Sequence, residues 1–145
     1  MKTPQPWPVL CLAGAVLLLA RRMVVLVTVR GRSMAPTYHD GDVLFACRLR
    51  LLRTGRTVVF TPPDPRSAPD DPPYRVKRIA ALAGDPTPSW VGGGQCAEPL
   101  VPPGRLVVRG DSATSEDSRT YGFVATRDVA AVIIGRLQAH DEPAQ

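Results

Sequence analysis

The chain consists of short apolar runs that are interrupted every few residues by glycine, proline or aspartate. The runs are rich in Val, Ile and Leu and lie at residues 23–29, 43–46, 57–60, 74–83, 106–109 and 129–137. Branched side chains in short runs bounded by turn residues are typical of strands, and helical periodicity is scarce. With 145 residues and 44% hydrophobic side chains, there is room for one domain with a core and a short appendage. The sequence therefore predicts a mostly β domain.

Two segments between these runs are predicted to be loops. Residues 61–73 contain six prolines in thirteen positions, and proline cannot join the interior of a sheet. An exposed connector is favoured there over a segment that contacts substrate or membrane. Residues 86–104 are predicted to be a short insertion, either a loop or a small hairpin, with Trp90 as a local anchor.

The N-terminal segment is apolar from residue 7 to residue 20, apart from Pro8, and ends at Arg21 and Arg22. As a helix it would cover roughly 21 Å, less than the roughly 30 Å hydrocarbon core. An uncleaved transmembrane helix over 1–22 is favoured, because the helix can extend back to Pro4 and the arginine side chains can reach the membrane interface. The main domain then covers 23–145. A secretory leader is the alternative, but no small-x-small site follows. Basic residues after the segment predict a cytoplasmic main domain by charge alone.

Lys77 is the only lysine beyond residue 2, whereas sixteen basic residues are arginine. An ammonium can lose its proton when it is desolvated, but a guanidinium stays charged. Ser33 lies where an apolar run ends in a glycine and a turn, with Pro36 three residues later. Ser-Lys is a known arrangement for activating a hydroxyl. The plain alternatives are a surface charge on a strand and a turn serine.

The composition argues against other classes of site. The net charge of +5 is spread along the chain, so nucleic-acid binding is not expected, although the charge favours contact with anionic lipid. The three cysteines are widely spaced, so no metal site and no cofactor are expected, while a Cys47–Cys96 disulfide stays open. A serine triad through His39 or His140 is a minor alternative.

Four short motifs follow one another: Gly-Arg-Ser-Met-Ala-Pro-Thr at 31–37, Gly-Asp-Val at 41–43, Lys-Arg at 77–78 with Gly-Asp at 84–85, and Gly-Asp at 110–111 with Ser-Glu-Asp-Ser-Arg at 115–119. In this order they resemble the type I signal peptidases, membrane-bound Ser-Lys enzymes that remove secretory leaders. The resemblance covers residues 29–137. It implies a coiled antiparallel sheet, or partly open barrel, that forms a catalytic domain at the outer membrane face.

The resemblance also implies roles for individual residues. Ser33 would be the nucleophile and Lys77 the general base, with Ser115 bonded to the amine to orient it. The last motif is one residue shorter than in the family, and Ser112 stands where the family usually has asparagine. Ser112 or Ser118 is therefore an alternative to Ser115.

The walls of the site follow from the same resemblance. Asp117 would be paired with Arg78 or Arg119. Gly31 replaces a hydroxyl residue of some relatives, so the oxyanion would rest on backbone N–H groups, chiefly that of Ser33. The pockets for small substrate side chains would be lined by Val29, Met34, Tyr38 and Val76.

The function that the resemblance implies is a monomeric, single-pass membrane endopeptidase that cleaves leader peptides after small residues. Its partners would be leader-bearing preproteins and membrane lipid, and the catalytic domain would lie on the extracytoplasmic side, against the charge count. The alternatives are a maturation protease dedicated to one precursor and a non-catalytic, membrane-anchored domain that binds leaders. A self-cleaving repressor of related fold is disfavoured because the chain has no helix-turn-helix region.

Overall fold

Antiparallel strands form one seven-stranded sheet in the computed structural model, which describes residues 7–63, 73–94 and 96–139. Each predicted apolar run contains a strand, so the mostly β prediction is confirmed. The strands are β1 (Val24–Thr28), β2 (Val43–Cys47), β3 (Thr57–Phe60), β4 (Arg75–Leu82), β5 (Arg105–Arg109), β6 (Val124–Ala125) and β7 (Val129–Gln138).

The order of the strands in the sheet is β1-β2-β7-β3-β4-β5-β6, so the last strand lies in the middle. β7 pairs with β2 on one side and with β3 on the other, and a register shift interrupts each of these pairings. Such irregularities bend strands and increase their twist. The sheet is curled into a half-barrel with β1 and β6 at its edges.

Two α-helices accompany the sheet in the described part of the chain. The first, α1 (Trp7–Met23), leads directly into β1 and has Arg21 and Arg22 in its last turn, where positive charge is favourable. None of the helices in the described residues combines the length and apolar character needed to cross a membrane. The second, α2 (Ser118–Tyr121), is a single turn. Neither α2 nor β6 was predicted, because segments of four and two residues carry no readable periodicity.

The two predicted loops have different outcomes. Residues 86–104 leave the sheet and return to it, and an antiparallel bridge between Pro86 and Leu100 closes the base of this loop. Trp90 packs near Val91 and Val101, and the guanidinium of Arg109 lies 5.4 Å from its ring centroid, so Trp90 does anchor the loop. Most of the proline-rich segment, the His140 tail and the extension of the anchor back to Pro4 lie outside the described residues.

The two faces of the sheet bury separate apolar clusters. In β3, Val58 and Phe60 belong to one cluster, and Val59, which points the other way, belongs to the second. Lys77 on β4 is the direct partner of Val58, so its alkyl chain lies on the face of the first cluster. The first cluster contains Val58, Phe60, Ile79, Leu106, Val108, Val124, Val129 and Val132; the second contains Val29, Leu44, Ala46, Val59, Ala131 and Ile133.

Candidate active site

Ser33 lies in a turn that follows β1 and is fixed at its base by backbone hydrogen bonds. Val29 N–H donates to the carbonyl of Asp42 at 2.8 Å, and Gly41 N–H donates back to the carbonyl of Val29 at 2.9 Å. Gly31 has φ of 80°, which favours glycine, and its N–H donates to Asp40 Oδ1 at 2.6 Å. The chain can therefore bend sharply two residues before Ser33.

The Lys77 amine lies 2.6 Å from Ser33 Oγ, at hydrogen-bond distance. Lys77 is 2% exposed, because β4 is an interior strand and its neighbours Val58 and Ile79 are buried. The two residues are 44 positions apart in the chain. The structure thus brings together the serine and the lysine that the sequence singled out.

Burial lowers the pKa of Lys77 from 10.5 to about 8. The carboxylate of Asp117 raises this pKa and the guanidinium of Arg75 lowers it, but the desolvation of the ammonium is the largest cause. A substantial fraction of the amine is therefore neutral slightly above neutral pH. A neutral amine can accept a proton from the hydroxyl beside it.

A close approach at Gly110 lets the Ser33 turn dock onto the strand end that follows β5. A Cβ at residue 110 would lie 1.9 Å from Ser115 Oγ and 2.7 Å from the carbonyl oxygen of Ser33. That same carbonyl accepts a hydrogen bond from Ser112 N–H at 3.1 Å. Only a residue without a side chain fits at this position.

Asp117 and Arg119 form a bidentate ion pair behind the amine. Arg119 Nη2 lies 2.7 Å and Nε 2.9 Å from the carboxylate, which is fully buried. Burial raises the pKa of Asp117, but the hydrogen bonds from Arg119 and from Gly110 N–H outweigh it, so the pKa lies below its ordinary value. Arg119 also donates to the carbonyls of Ala113 and Ser115, which fixes the turn between them. Of the two predicted partners for Asp117, the structure has Arg119.

Arg78 is not the partner of Asp117 and instead forms a bidentate pair with Asp111. Its Nη2 and Nε lie 2.6 Å and 2.9 Å from the Asp111 carboxylate, and these bonds hold the pKa of Asp111 below its ordinary value. Arg78 also donates to the carbonyl of Gly55 at 2.9 Å and to Thr37 Oγ1 at 3.4 Å. The prediction missed this pairing because it depends on how β4 and β5 align.

The three candidate serines for orienting the amine are in different surroundings. Ser115 lines the same cavity as Ser33 and Lys77, but its hydroxyl donates to the carbonyl of Glu116 at 3.5 Å and forms no bond to the amine in the described structure. Ser118 Oγ accepts from Val108 N–H at 2.9 Å inside the core, which removes it from the amine. Ser112 Oγ bonds to Thr114. The role of Ser115 stays a prediction.

Two cavities meet at Ser33. The first, about 380 Å³, is mainly apolar, and three of its wall residues, Val29, Met34 and Val76, were predicted pocket residues. The second, about 360 Å³, is more polar and is lined by residues that include Lys77, Thr114, Ser115 and Glu116. Tyr38 is absent from the described lining of the first cavity; it packs against the second apolar cluster. The substrate-binding role of Tyr38 stays a prediction.

The alternative sites predicted from histidine and cysteine are not formed in the described residues. His39 donates its backbone N–H to Asp42 Oδ2 at 3.0 Å, and neither cavity is lined by its side chain. Cys11, Cys47 and Cys96 are free thiols, so the Cys47–Cys96 disulfide is not present. No cluster of potential metal ligands occurs among the residues that the structure describes.

Arg136 was not considered as a site residue, yet it reaches the turn that carries Ser33. Its Nη2 donates to the carbonyl of Thr37, and its Nε lies 3.5 Å from Asp42 Oδ2. The sequence offered little signal, because Arg136 is one of sixteen arginines and lies 99 residues from Thr37.

Comparison with protein families gives a match to a peptidase family. The family described as "Signal peptidase, peptidase S26" matches residues 6–87, more than half of the chain. The matched range includes Ser33 and Lys77 and ends before the motif at 110–119. A comparison with curated proteins finds no match.

Replacing Gly110 with alanine should push the Ser33 turn away from the strand end. We expect Gly110→Ala to lower the free energy of unfolding by about 1–3 kcal/mol, as overpacking does elsewhere. Urea unfolding followed by circular dichroism measures the loss. Gly135→Ala is the matched control, because an added Cβ there meets no atom within 4 Å. Equal effects of the two substitutions would contradict the close approach.

Replacing Lys77 with methionine should stabilise the protein near pH 7. The folded pKa of about 8 lies below 10.5, so the unfolded chain binds the proton more tightly, and wild-type stability rises between about pH 8 and 10.5. Below pH 8, burying the protonated amine lowers the free energy of unfolding of the wild type by on the order of 3 kcal/mol. We expect the advantage of Lys77→Met in urea unfolding to be largest near pH 7 and to shrink towards pH 10.

The control for this experiment is Arg127→Met, which changes an exposed basic side chain. Its effect on stability should be small at both pH values. A Lys77→Met advantage that does not change with pH would show that the amine does not titrate in this range.

Proposed function

The chain belongs to the signal peptidase family, peptidase S26, and on that premise we propose that it is a membrane-anchored serine endopeptidase that removes leader peptides after small residues. The observation that carries this proposal is the 2.6 Å contact between the buried Lys77 amine and Ser33 Oγ. A binding domain without catalysis has no chemical use for a partly neutral amine at this distance from a hydroxyl.

The proposed reaction begins with proton transfer from Ser33 to neutral Lys77 as Oγ attacks the peptide carbonyl. The protonated amine then gives its proton to the leaving nitrogen, which forms an acyl-enzyme and releases the mature protein. Neutral Lys77 next takes a proton from the water that attacks the ester and returns it to Ser33 Oγ as the ester bond breaks and the leader peptide leaves. One lysine near its pKa serves as base and acid in turn, which a permanently charged arginine cannot do.

The oxyanion needs donors that are in place before the reaction. The Gly31 N–H is already bonded to Asp40 Oδ1, and residue 31 has no side-chain hydroxyl. We assign the main donor role to the backbone N–H of Ser33. The N–H of Ser112 donates to the carbonyl of Ser33, and the N–H of Tyr38 donates to the carbonyl of Met34. These two bonds fix the peptide planes next to the Ser33 N–H.

Selection for small residues is supported by the apolar cavity beside Ser33. Val29 and Met34 are nearly or fully buried and close its floor, and Val76 lies on its wall. A substrate side chain entering here meets the branched and thioether groups of these three residues, and Arg30 and Arg75 also line the cavity. Alanine or glycine fits this environment at little desolvation cost.

We assign the N-terminal segment, with α1, as the membrane anchor and the extracytoplasmic side as the location of the sheet domain. The exposed apolar side chains of α1, such as Leu12, Val16 and Leu18, suit contact with lipid. The side of the membrane follows from the proposed substrates, since leaders are exposed there after export, although the count of basic residues favours the opposite side.

Detergent-solubilised protein should cleave a preprotein at its leader junction. We expect Ser33→Ala and Lys77→Arg each to lower kcat by at least about a thousandfold, because one removes the nucleophile and the other fixes the charge. Gel analysis with mass spectrometry of the new N-terminus measures both rate and position.

The control is Arg127→Ala, an exposed arginine that lines neither of the two cavities and should cleave at the wild-type rate. Activity retained in Lys77→Arg would rule out lysine as the base. Tight leader binding without cleavage by the wild type would favour the non-catalytic alternative.

The cleavage rate should rise with pH through a midpoint near 8. The neutral form of Lys77 is the active one, and its pKa in the free protein is about 8, so kcat/KM increases from pH 7 to pH 9. Glu116→Gln removes an exposed carboxylate that raises this pKa, so its profile should move to lower pH. A profile that falls over this range would assign the base to another group.

A further inference from the structure

One arginine outside every motif of the sequence holds the far end of the turn that carries Ser33. Arg136 lies on β7 opposite Leu44, which is fully buried. The side chain of Arg136 therefore lies on the same face of the sheet as Leu44, and its guanidinium contacts the turn from that face. It is part of neither cavity lining described above.

Three separate groups of the turn contact this guanidinium. Nη2 donates to the carbonyl of Thr37, Nε is 3.5 Å from Asp42 Oδ2, and the Tyr38 ring centroid is 5.1 Å from Cζ. The Asp42 carboxylate is 1% exposed and also accepts the N–H of His39. A buried carboxylate of this kind needs a cationic partner, which makes the contact costly to break.

Thr37 is held from two sides by two arginines. Arg78 Nη2 lies 3.4 Å from its hydroxyl, and Arg136 Nη2 bonds to its carbonyl. Arg78 is itself fixed on β4, one residue after Lys77, by its pair with Asp111. Thr37 lies four residues after Ser33. It therefore connects the strand that carries the Lys77 amine with the strand that carries Arg136.

We propose that Arg136 is a positioning residue that sets the distance between Ser33 Oγ and Lys77 Nζ by clamping the 37–42 end of the turn. This inference rests on the proposed function for its effect on catalysis. Arg136 does not touch the reacting atoms, and it is not among the charges that shift the pKa of Lys77. It acts through the geometry of the turn.

The test compares Arg136→Gln, Arg136→Lys and the control Arg127→Ala in the full chain. A displacement of about 1 Å can cost about a hundredfold in rate, so Arg136→Gln should lower kcat by about tenfold to a hundredfold. Arg136 itself lines neither cavity, so KM should change less than kcat and stay within about twofold. Arg136→Lys keeps a charge for Asp42 but not all three contacts, and should recover part of kcat. Arg127→Ala should match the wild type.

Two further readouts separate positioning from general destabilisation. The midpoint of the pH–rate profile should stay near 8 in Arg136→Gln, because the charge does not act on the amine. Hydrogen exchange should become faster at Tyr38 and Gly41, whose N–H groups bond within the turn, and should be unchanged at Ile79 on β4. This readout does not depend on activity.

A kcat for Arg136→Gln within twofold of the wild type would overturn the inference, as would a loss that disappears when the rate is divided by the folded fraction. Uniformly faster exchange across the sheet would also overturn it. If the wild type itself does not cleave a preprotein, or if Ser33→Ala cleaves as fast, the proposed function fails. Cleavage that requires Ser33 but not Arg136 would remove the positioning role alone.

Discussion

The site depends on an amine that is buried where its charged form is unfavourable. Lys77 is fixed on an interior strand between Val58 and Ile79, and desolvation brings its pKa to about 8. The hydroxyl that meets it comes from a turn, which is less constrained than a strand. The structure compensates with contacts to that turn at Gly31, at the carbonyl of Ser33 and at Thr37. The Lys77 amine on its strand and the Ser33 hydroxyl on its stabilised turn are joined by one 2.6 Å hydrogen bond.

Arginine and lysine have separate tasks around this bond. Arg119 and Arg78 each form a fork with an aspartate, and Arg136 reaches a carboxylate, a carbonyl and a ring at once. These contacts need a planar, permanently charged group with several donors. Proton transfer needs a group that can become neutral. Lys77, the one lysine beyond residue 2, therefore stands where the proposed reaction needs proton transfer, whereas arginines hold the structure around it.

The sequence predicted those features of the fold and the site that depend on residues close together in the chain. Short branched runs indicated the strands, and the lone lysine with the serine at a bend indicated the two central groups of the site. It did not predict that β7 lies between β2 and β3, because strand order is decided by packing between distant segments. The contacts of Arg136 follow from that order, and the partner of Arg78 follows from the alignment of β4 with β5, so neither could be read from local patterns.

The central position of β7 has a consequence for biosynthesis. Without residues 129–138 the sheet is divided into the β1–β2 pair, whose connecting turn carries Ser33, and a separate group of strands that carries Lys77. A ribosome releases this joining segment after both halves have emerged. The nascent chain therefore carries the Ser33 hydroxyl and the Lys77 amine before the strand that joins their two parts of the sheet has been made.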